Sequence, residues 1–266
     1  MSVDKSEKFT WLVRLGFAAR GLVYLMLGYL ALRTGGAAKD GASSVFDYIQ
    51  DIPMGSAILW VATFGLAAYA LFRFLSAISD IQNKGSDSKG MLKRSGDFAS
   101  GVAHVFLAYA AYQFATWEKS SAGGGGSQQM AGGVMQIELG AIVIGLLGLV
   151  FLVGAVMQAK QAYTADFMKR ISPSAPGWTE PVGRAGHAAR AIVFAIIGYS
   201  MVRGGWLVSE QQVKGLGEAV MALRDTGLVF TLVAIGLAFY GIFNLITARY
   251  RIIPDVQSHD LKPSLS

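Results

Sequence analysis

The 266-residue sequence contains no cysteine, only three histidines and few charged residues. Without cysteine the chain forms no disulfide and offers no thiolate, either as a nucleophile or as a ligand for a metal or cluster. Charged residues make up 15% of the chain, whereas an ordinary soluble domain carries about a quarter. The scarcity of charge therefore argues against a soluble globular protein.

Motifs that usually carry catalysis are absent as well. The sequence has no His-Glu-x-x-His zinc motif, no phosphate-binding loop and no Gly-x-Ser-x-Gly nucleophile turn. One of the three histidines, His259, lies in a polar C-terminal tail. We therefore predict that the protein is not an enzyme, with no catalytic residues, no metal site and no cofactor.

Hydrophobic residues are abundant instead, at 53% of the chain with a mean hydropathy of +0.44. They are concentrated in six stretches of about 20 residues, the length that an α-helix needs to cross a hydrocarbon core about 30 Å thick. We predict an all-α integral membrane protein with six transmembrane helices. Their expected positions are near 14–33, 56–78, 97–117, 139–161, 185–208 and 227–248.

The six predicted helices form three similar pairs. An Arg-x-Gly motif followed by small residues opens the first helix of each pair, at Arg14, Arg94 and Arg184. A glycine four residues before an aromatic or leucine side chain recurs in each second helix, at 65–69, 148–152 and 236–240. We predict one membrane domain over 1–266, built from three tandem two-helix repeats. The repeats cover about 10–82, 90–165 and 180–252, and a polar tail follows at 253–266.

A short segment with amphipathic spacing joins the two helices of each pair. Val45, Ile49 and Ile52, for example, fall at i, i+4 and i+7 on one helical face. We expect three such segments, near 44–55, 130–140 and 216–227, at the outer membrane interface. Because each repeat contains two spans, all three repeats insert in the same orientation. This excludes inverted repeats and predicts packing around a pseudo-threefold axis along the membrane normal.

These motifs resemble the bacterial membrane protein family catalogued as domain of unknown function 1206, whose members carry three tandem two-helix units. The residues that carry the resemblance most fully are Gly16, Ala19, Arg20, Gly21, Tyr24, Gly28, Gly65, Leu66 and Tyr69. The second repeat departs from the pattern, with Ser100 at the arginine position and Leu152 at the tyrosine position. The resemblance implies a three-repeat membrane fold and brings no established biochemical activity.

Ionisable residues inside a membrane span are costly, so they are the first candidates for function. Arg20 and Arg190 occupy matching repeat positions inside the inner ends of their helices. Together they can bind an anionic group or a lipid. Alternatively, each side chain reaches the inner headgroups separately or caps a neighbouring helix, as we also expect for Arg73.

Three further ionisable residues are candidates for the same anion or lipid site. His104 lies on the helical face of Ser100, where it either contacts a ligand or is a hydrogen-bonded packing residue. Asp97 and His187 share the repeat position of Phe17, near the membrane surface, where solvation is the alternative. We predict that Asp97 pairs across the bundle with Arg20 or Arg190 and leaves a net positive site.

Two functions fit this sequence. The first is a non-enzymatic scaffold or lipid-interacting protein of the bacterial inner membrane, with membrane lipids and other membrane proteins as partners. The second is a small-solute transporter or channel along the pseudo-threefold axis, although the scarcity of carboxylates at the bilayer centre argues against a cation-driven pump. The net charge of +6 indicates contact with anionic lipid, and we expect no nucleic-acid partner.

The distribution of basic residues predicts that both termini face the cytoplasm. Fourteen Lys and Arg residues lie in the two terminal segments and the second and fourth connections, and six lie on the other side. A cysteine introduced at Ser2 or Ser264 should therefore resist an impermeant thiol reagent in intact cells, and one at Ser121 should react. The reverse labelling pattern would contradict the orientation.

Overall fold

The computed structural model describes residues 5–34, 42–51, 53–82, 84–116 and 126–253. These ranges are largely helical and contain one isolated β-bridge, between Ile171 and Arg251. The predicted polar tail lies outside the described residues from 254 onward. The α-helices within the described ranges are α1 (Lys5–Thr34), α2 (Ala42–Gln50), α3 (Gly55–Ile78), α4 (Ser88–Ala115), α5 (Gly126–Met135), α6 (Gly140–Thr164), α7 (Thr179–Leu207), α8 (Leu216–Met221) and α9 (Leu228–Tyr250).

Five of the described helices are long and apolar enough to cross a membrane. They are Thr10–Arg33 within α1 and the whole of α3, α6, α7 and α9. The sixth predicted span falls in α4, which carries four charged residues in its first ten positions and the polar His104 and Gln113 further on. The all-helical, multi-pass membrane character is thereby confirmed, with five candidate spans among the described helices.

Each repeat combines a longer first helix with a shorter second helix. The first helices α1, α4 and α7 contain 30, 28 and 29 residues, and the second helices α3, α6 and α9 contain 24, 25 and 23. The longer helices begin before the predicted spans, at their charged N-terminal turns. We call this end of the bundle the inner end, and the end that carries α2, α5 and α8 the outer end.

The long helices pack as three close pairs, α3 with α4, α6 with α7, and α9 with α1. Each pair joins the second helix of one repeat to the first helix of the next, and the third repeat returns to the first. Small residues permit this contact: a Cβ on Gly241 of α9 would lie 2.7 Å from the backbone oxygen of Gly21 in α1, and one on Gly148 of α6 would lie 2.6 Å from the nitrogen of Val202 in α7.

Looser contacts join the pairs, and they differ between repeats. The two helices of the first repeat, α1 and α3, pack together, as do α7 and α9 of the third repeat. The helices of the second repeat, α4 and α6, have no comparable interface. Gly96 of α4 accordingly has open space where a Cβ would project, whereas its repeat equivalents Gly16 and Gly186 abut Tyr69 and Tyr240. The second repeat is therefore open on the side that the other two repeats close.

The predicted outer segments are short helices whose apolar sides pack on the bundle. Val45 and Phe46 of α2 are fully buried against α1, α3 and α4, and Val220 of α8 is fully buried. Ile52, which belonged to the predicted apolar face, lies outside the described residues. Residues of α2 and α8 share one hydrophobic cluster with the central helices, whereas Ala131 of α5 packs in a smaller cluster with Ile144 and Val213. The three segments therefore cover the outer end of the bundle.

The open second repeat predicts how alanine is tolerated at three equivalent glycines. A Cβ at Gly16 or Gly186 would lie 2.7 Å from Tyr69 Cβ or from Tyr240 Cα, so Gly16→Ala and Gly186→Ala should each lower the unfolding free energy by about 1–3 kcal/mol. Gly96→Ala meets nothing within 4 Å and should be neutral or stabilise the helix by up to about 1 kcal/mol. Thermal unfolding in detergent measures all three. Equal destabilisation by all three substitutions would contradict the open second repeat.

Candidate functional site

Two arginines from the first and third repeats meet in the centre of the bundle. Arg20 of α1 and Arg190 of α7 are each 7% exposed, and both donate to the hydroxyl of Tyr240, with Nη–O distances of 2.6 Å. Arg20 also donates to the hydroxyl of Tyr69 in α3. The candidates Arg20 and Arg190 thus lie in one buried cluster and do not reach the end of the bundle separately. That they bind an anion or a lipid stays a prediction.

Aromatic rings surround both guanidinium groups. The Arg20 guanidinium carbon lies 5.0 Å from the ring centre of Tyr69 and 5.1 Å from that of Tyr240. The Arg190 carbon lies 4.4 Å from the Tyr240 ring and 4.5 Å from the Phe194 ring. Each such cation–π contact contributes about 0.5–2 kcal/mol, with the larger values in desolvated sites. The rings therefore offset part of the cost of burying the two charges.

The two charges have no acidic partner among the described residues. The salt bridges of the described chain place no carboxylate on Arg20 or Arg190, and the Nε atoms of both are buried without a hydrogen-bond partner. Two like charges about 4 Å apart repel by about 4 kcal/mol at an effective dielectric constant of about 20. An anion placed between the guanidinium groups would relieve this repulsion and satisfy their free donors.

The glycines of the repeat motif bring each tyrosine to its arginine. Gly16, one turn before Arg20, lets the backbone of Tyr69 approach α1, and Gly186 does the same for Tyr240 one turn before Arg190. A glycine of the second helix also permits this approach, because a Cβ on Gly236 of α9 would lie 2.5 Å from the Cβ of Ala189 in α7. The Gly-x-x-x-Arg motif of one helix and the Gly-x-x-x-Tyr motif of the other therefore build the same arginine–tyrosine contact in repeats one and three.

The second repeat contributes a histidine to this centre. Ser100 and Leu152 stand where the other repeats have arginine and tyrosine. His104 of α4 is buried, and its ring centre lies 4.5 Å from that of Tyr69. Its Nδ1 atom lies 2.7 Å from the backbone oxygen of Ser100. His104 thus packs against the tyrosine that binds Arg20, so Tyr69 lies between His104 and the arginine pair.

The sequence led us to expect that Asp97 pairs with Arg20 or Arg190. It does not. Its carboxylate is 2% exposed and binds Arg73 Nη1 at 2.8 Å and the ammonium group of Lys84. The α4 face that carries Asp97 packs on the inner end of α3, so the side chain meets the basic residues there. The expected pairing was wrong because the repeat position predicts depth in the membrane, whereas the partner depends on which helix the side chain faces.

His187 is also buried and is not solvated. Its ring stacks on Phe167 with ring centres 4.9 Å apart and contacts the edge of Tyr240 at 5.3 Å. Its Nδ1 atom hydrogen-bonds the Gln158 side chain of α6. His187 therefore packs against Tyr240, the tyrosine that both arginines share. Of the six predicted site residues, Arg20 and Arg190 form the centre, His104 and His187 support its tyrosines, and Asp97 and Arg73 form a separate pair.

Sequence analysis missed the residues that hold the arginines in place. Tyr69 and Tyr240 are part of the repeated motif, so the recurrence of tyrosine only in repeats that have the arginine was a usable signal. It also missed that Arg94 and Arg184, which begin repeats two and three, cap the preceding helices. Arg94 donates to the backbone oxygens of Ala77 and Ile78, and Arg184 donates to the backbone oxygens of Ala162 and Tyr163.

Comparison with known sequences assigns the repeats to a family. The sequence profile described as Domain of Unknown Function (DUF1206) matches residues 15–80, 95–165 and 185–251. The chain belongs to the DUF1206 family. It is 31% identical over 265 residues to the uncharacterized protein YxxB of Bacillus subtilis (strain 168), covering 94% of this chain and 95% of that protein. No solved structure matches it significantly. The expected family is confirmed, and its description names no activity.

The ion pair of this DUF1206 chain gives a prediction for Asp97. Asp97→Asn should lower the melting temperature in detergent, because it leaves the buried Lys84 and the part-buried Arg73 without a carboxylate. Arg73→Gln should partly compensate, with a coupling of about 0.5–3 kcal/mol in a double-mutant cycle. Arg20→Gln serves as the control and should be additive with Asp97→Asn. Coupling to Arg20 and none to Arg73 would contradict the pairing.

Proposed function

We propose that this protein is a non-enzymatic, lipid-interacting protein of the bacterial inner membrane that binds an anionic lipid headgroup at Arg20 and Arg190. The observation that carries the proposal is the convergence of two buried guanidinium groups on one tyrosine hydroxyl, with no carboxylate beside them in the described chain. Leaving a buried charge without its partner costs about 3–5 kcal/mol. A bound anion recovers much of that energy.

The donors of the site suit a phosphate group. Arginine presents its N–H groups in a planar fork that matches the oxygens of phosphate or carboxylate, and Nε of both arginines is free. The arginines lie within candidate membrane spans, nearer to the inner end. A headgroup of the inner leaflet is therefore the anion that reaches this depth while its acyl chains stay in the bilayer.

The open second repeat provides the access route in this proposal. The partners of the arginine pair come from α1, α3, α7 and α9, so in this proposal access is from the second repeat. There Ser100 replaces a long side chain and nothing occupies the position beside Gly96. A lipid can reach the arginines from the bilayer through this side.

The same proposal treats α4 as the sixth span and the repeats as pseudo-threefold. Packing of α4 along α3 supports a crossing, as do the exposed apolar side chains Phe98, Val102 and Phe106 on its free surface. The cyclic order of the three close pairs supports an axis along the membrane normal. With an even number of spans, both termini lie on the cytoplasmic side, where the basic residues are concentrated.

Packing on the outer side favours binding over transport. Leu27, Leu66 and Leu237, which lie outward of the arginines on α1, α3 and α9, are fully buried in one hydrophobic cluster. The same cluster includes Phe46 and Val220 of the outer helices. A conducting path along the axis would have to part this cluster, whereas a lipid site needs access from one side only.

Lipid retention tests the proposal. The chain is reconstituted in nanodiscs of mixed neutral and anionic lipid. Native mass spectrometry then measures the anionic lipid that stays bound to the protein after it is released from the nanodisc. The wild type should retain one anionic lipid in preference to neutral lipid. Arg20→Gln and Arg190→Gln should each reduce that retention about tenfold to a hundredfold, because each removes a charge-assisted hydrogen bond worth about 1.5–3 kcal/mol.

The matched control is Arg33→Gln, which removes an arginine from the same helix that also donates to a tyrosine, Tyr29, but at an exposed position. It should retain the lipid. Gly96→Phe fills the open side of the second repeat and should reduce retention without lowering the melting temperature. Equal retention by the Arg20, Arg190 and Arg33 variants, or no preference for anionic lipid in the wild type, would refute the proposal.

A further inference from the structure

A second group of basic side chains lies where the inner connections of the three repeats meet. It consists of Arg73 at the inner part of α3, Lys84 in the connection to α4, Arg170 in the connection between α6 and α7, and Arg251 directly after α9. We call these four residues the inner basic cluster. Arg73 lies 5.8 Å from the ring centre of Tyr69, so this tyrosine stands between the cluster and Arg20.

Backbone pairing fixes two members of the cluster side by side. Ile171 and Arg251 form a β-bridge, in which Ile252 N donates to the Arg170 oxygen at 2.9 Å and Ser172 N donates to the Tyr250 oxygen at 2.7 Å. This ties the connection after α6 to the end of α9. The backbones of Arg170 and Arg251 are therefore held close together.

Gln82 is the acceptor on which these two arginines converge. Its side-chain oxygen accepts from Arg170 Nη1 and from Arg251 Nη2, the latter at 3.2 Å. Its amide nitrogen donates to the hydroxyl of Ser76 at 2.6 Å, which turns the oxygen toward the arginines. The arrangement repeats the one at Tyr240, because two guanidinium groups again share a single neutral oxygen.

The cluster has more positive than negative charge. Asp97 binds Arg73 and Lys84. Asp80 also faces the cluster, but its carboxylate accepts the backbone N–H groups of Lys84 and Gly85 at 2.7 and 2.8 Å. Neither acid forms a salt bridge with Arg170 or Arg251 among the described residues. Four bases against two acids leave the cluster with an excess of two positive charges.

The cations of the cluster are partly desolvated. Burial, together with the charges of Arg73 and Arg170, lowers the pKa of Lys84 to about 8 despite the attraction of Asp97. Burial, together with the charge of Arg170, lowers the pKa of Arg251 to about 10. The Arg251 guanidinium carbon lies 4.9 Å from the ring centre of Phe17. An anion at this place would therefore replace water that the cations have lost.

We propose that the inner basic cluster binds a phosphate group, with Arg170 and Arg251 as its principal ligands and Lys84 at its edge. A phosphate dianion matches the excess charge, and its oxygens can take the N–H groups that now share the single Gln82 oxygen. The group belongs either to an inner-leaflet lipid or to a free phosphate in solution. Phe17, Phe72 and Tyr69 separate this site from Arg20, so it is distinct from the proposed lipid site and goes beyond it.

Two arms of a stability experiment distinguish the sources. The full chain is placed in nanodiscs of phosphatidylcholine, and its melting temperature is measured with inorganic phosphate in solution or with phosphatidic acid in the disc. An increase that depends on Arg170 and Arg251 supports the site, and the arm that gives it identifies the source. Arg170→Gln and Arg251→Gln should each lose at least half of the increase. The control Arg249→Gln removes an exposed charge two residues from Arg251 and should keep it.

No increase in either arm, or an equal increase in all variants, would overturn the proposal. A measurement on unsubstituted protein covers the case in which a variant fails to fold. The lysines are labelled with 13C-methyl groups, and the Lys84 signal, assigned by its loss in Lys84→Arg, is titrated. Its midpoint, near 8 without ligand, should rise by about one pH unit with the effective phosphate source, because a bound anion favours the charged ammonium.

An unchanged Lys84 midpoint would refute phosphate binding at the cluster. The same titration on Arg20→Gln separates the two sites. If the clusters bind independently, this variant loses retained lipid at the centre of the bundle and keeps the rise of the Lys84 midpoint. Loss of both effects in Arg20→Gln would refute a distinct inner site.

Discussion

Two guanidinium groups in the centre of the helical bundle donate to the same tyrosine hydroxyl, and much of the surrounding structure follows from that contact. Moving an unpaired charge out of water costs several kcal/mol, so Arg20 and Arg190 require close aromatic and hydroxyl partners. Tyr69 and Tyr240 reach them because Gly16 and Gly186 let the second helix of the repeat approach the first. Repeats one and three therefore share one geometry, in which a tyrosine of the second helix contacts a buried arginine of the first. Tyr240 contacts both arginines.

The same constraint explains why the second repeat differs. With Ser100 and Leu152 in place of the arginine and tyrosine, α4 and α6 have no arginine–tyrosine contact to form between them and no tyrosine to bring against Gly96. Each packs on its neighbour from the adjoining repeat, α4 on α3 and α6 on α7. The bundle consequently combines a closed half, which holds two positive charges, with an open side, through which our proposal brings the compensating anion.

Much of this fold was predictable from sequence, because helix length and repeat period are local properties. The ends of α3, α6 and α9 fall within three residues of the predicted spans, and Arg20 and Arg190 were candidates because charge is rare inside a span. The neighbouring helix that each side chain faces was not predictable in the same way. Asp97 sits at the expected depth but faces α3, and Gln82, Arg170 and Arg251 come from three connections that only tertiary packing brings together. Crossing of the membrane by α4 stays a prediction, because His104 and Gln113 make it less apolar than the other long helices.

The central claim is that the arginine pair holds an anion, and the most direct measurement is an experimental density map of the protein purified with its native lipids. The account predicts phosphate-sized density within hydrogen-bond distance of both Arg20 and Arg190, continuous with acyl-chain density between α4 and α6. A map that shows both guanidinium groups bonded only to tyrosines and water, with the space between α4 and α6 closed by protein, would contradict it.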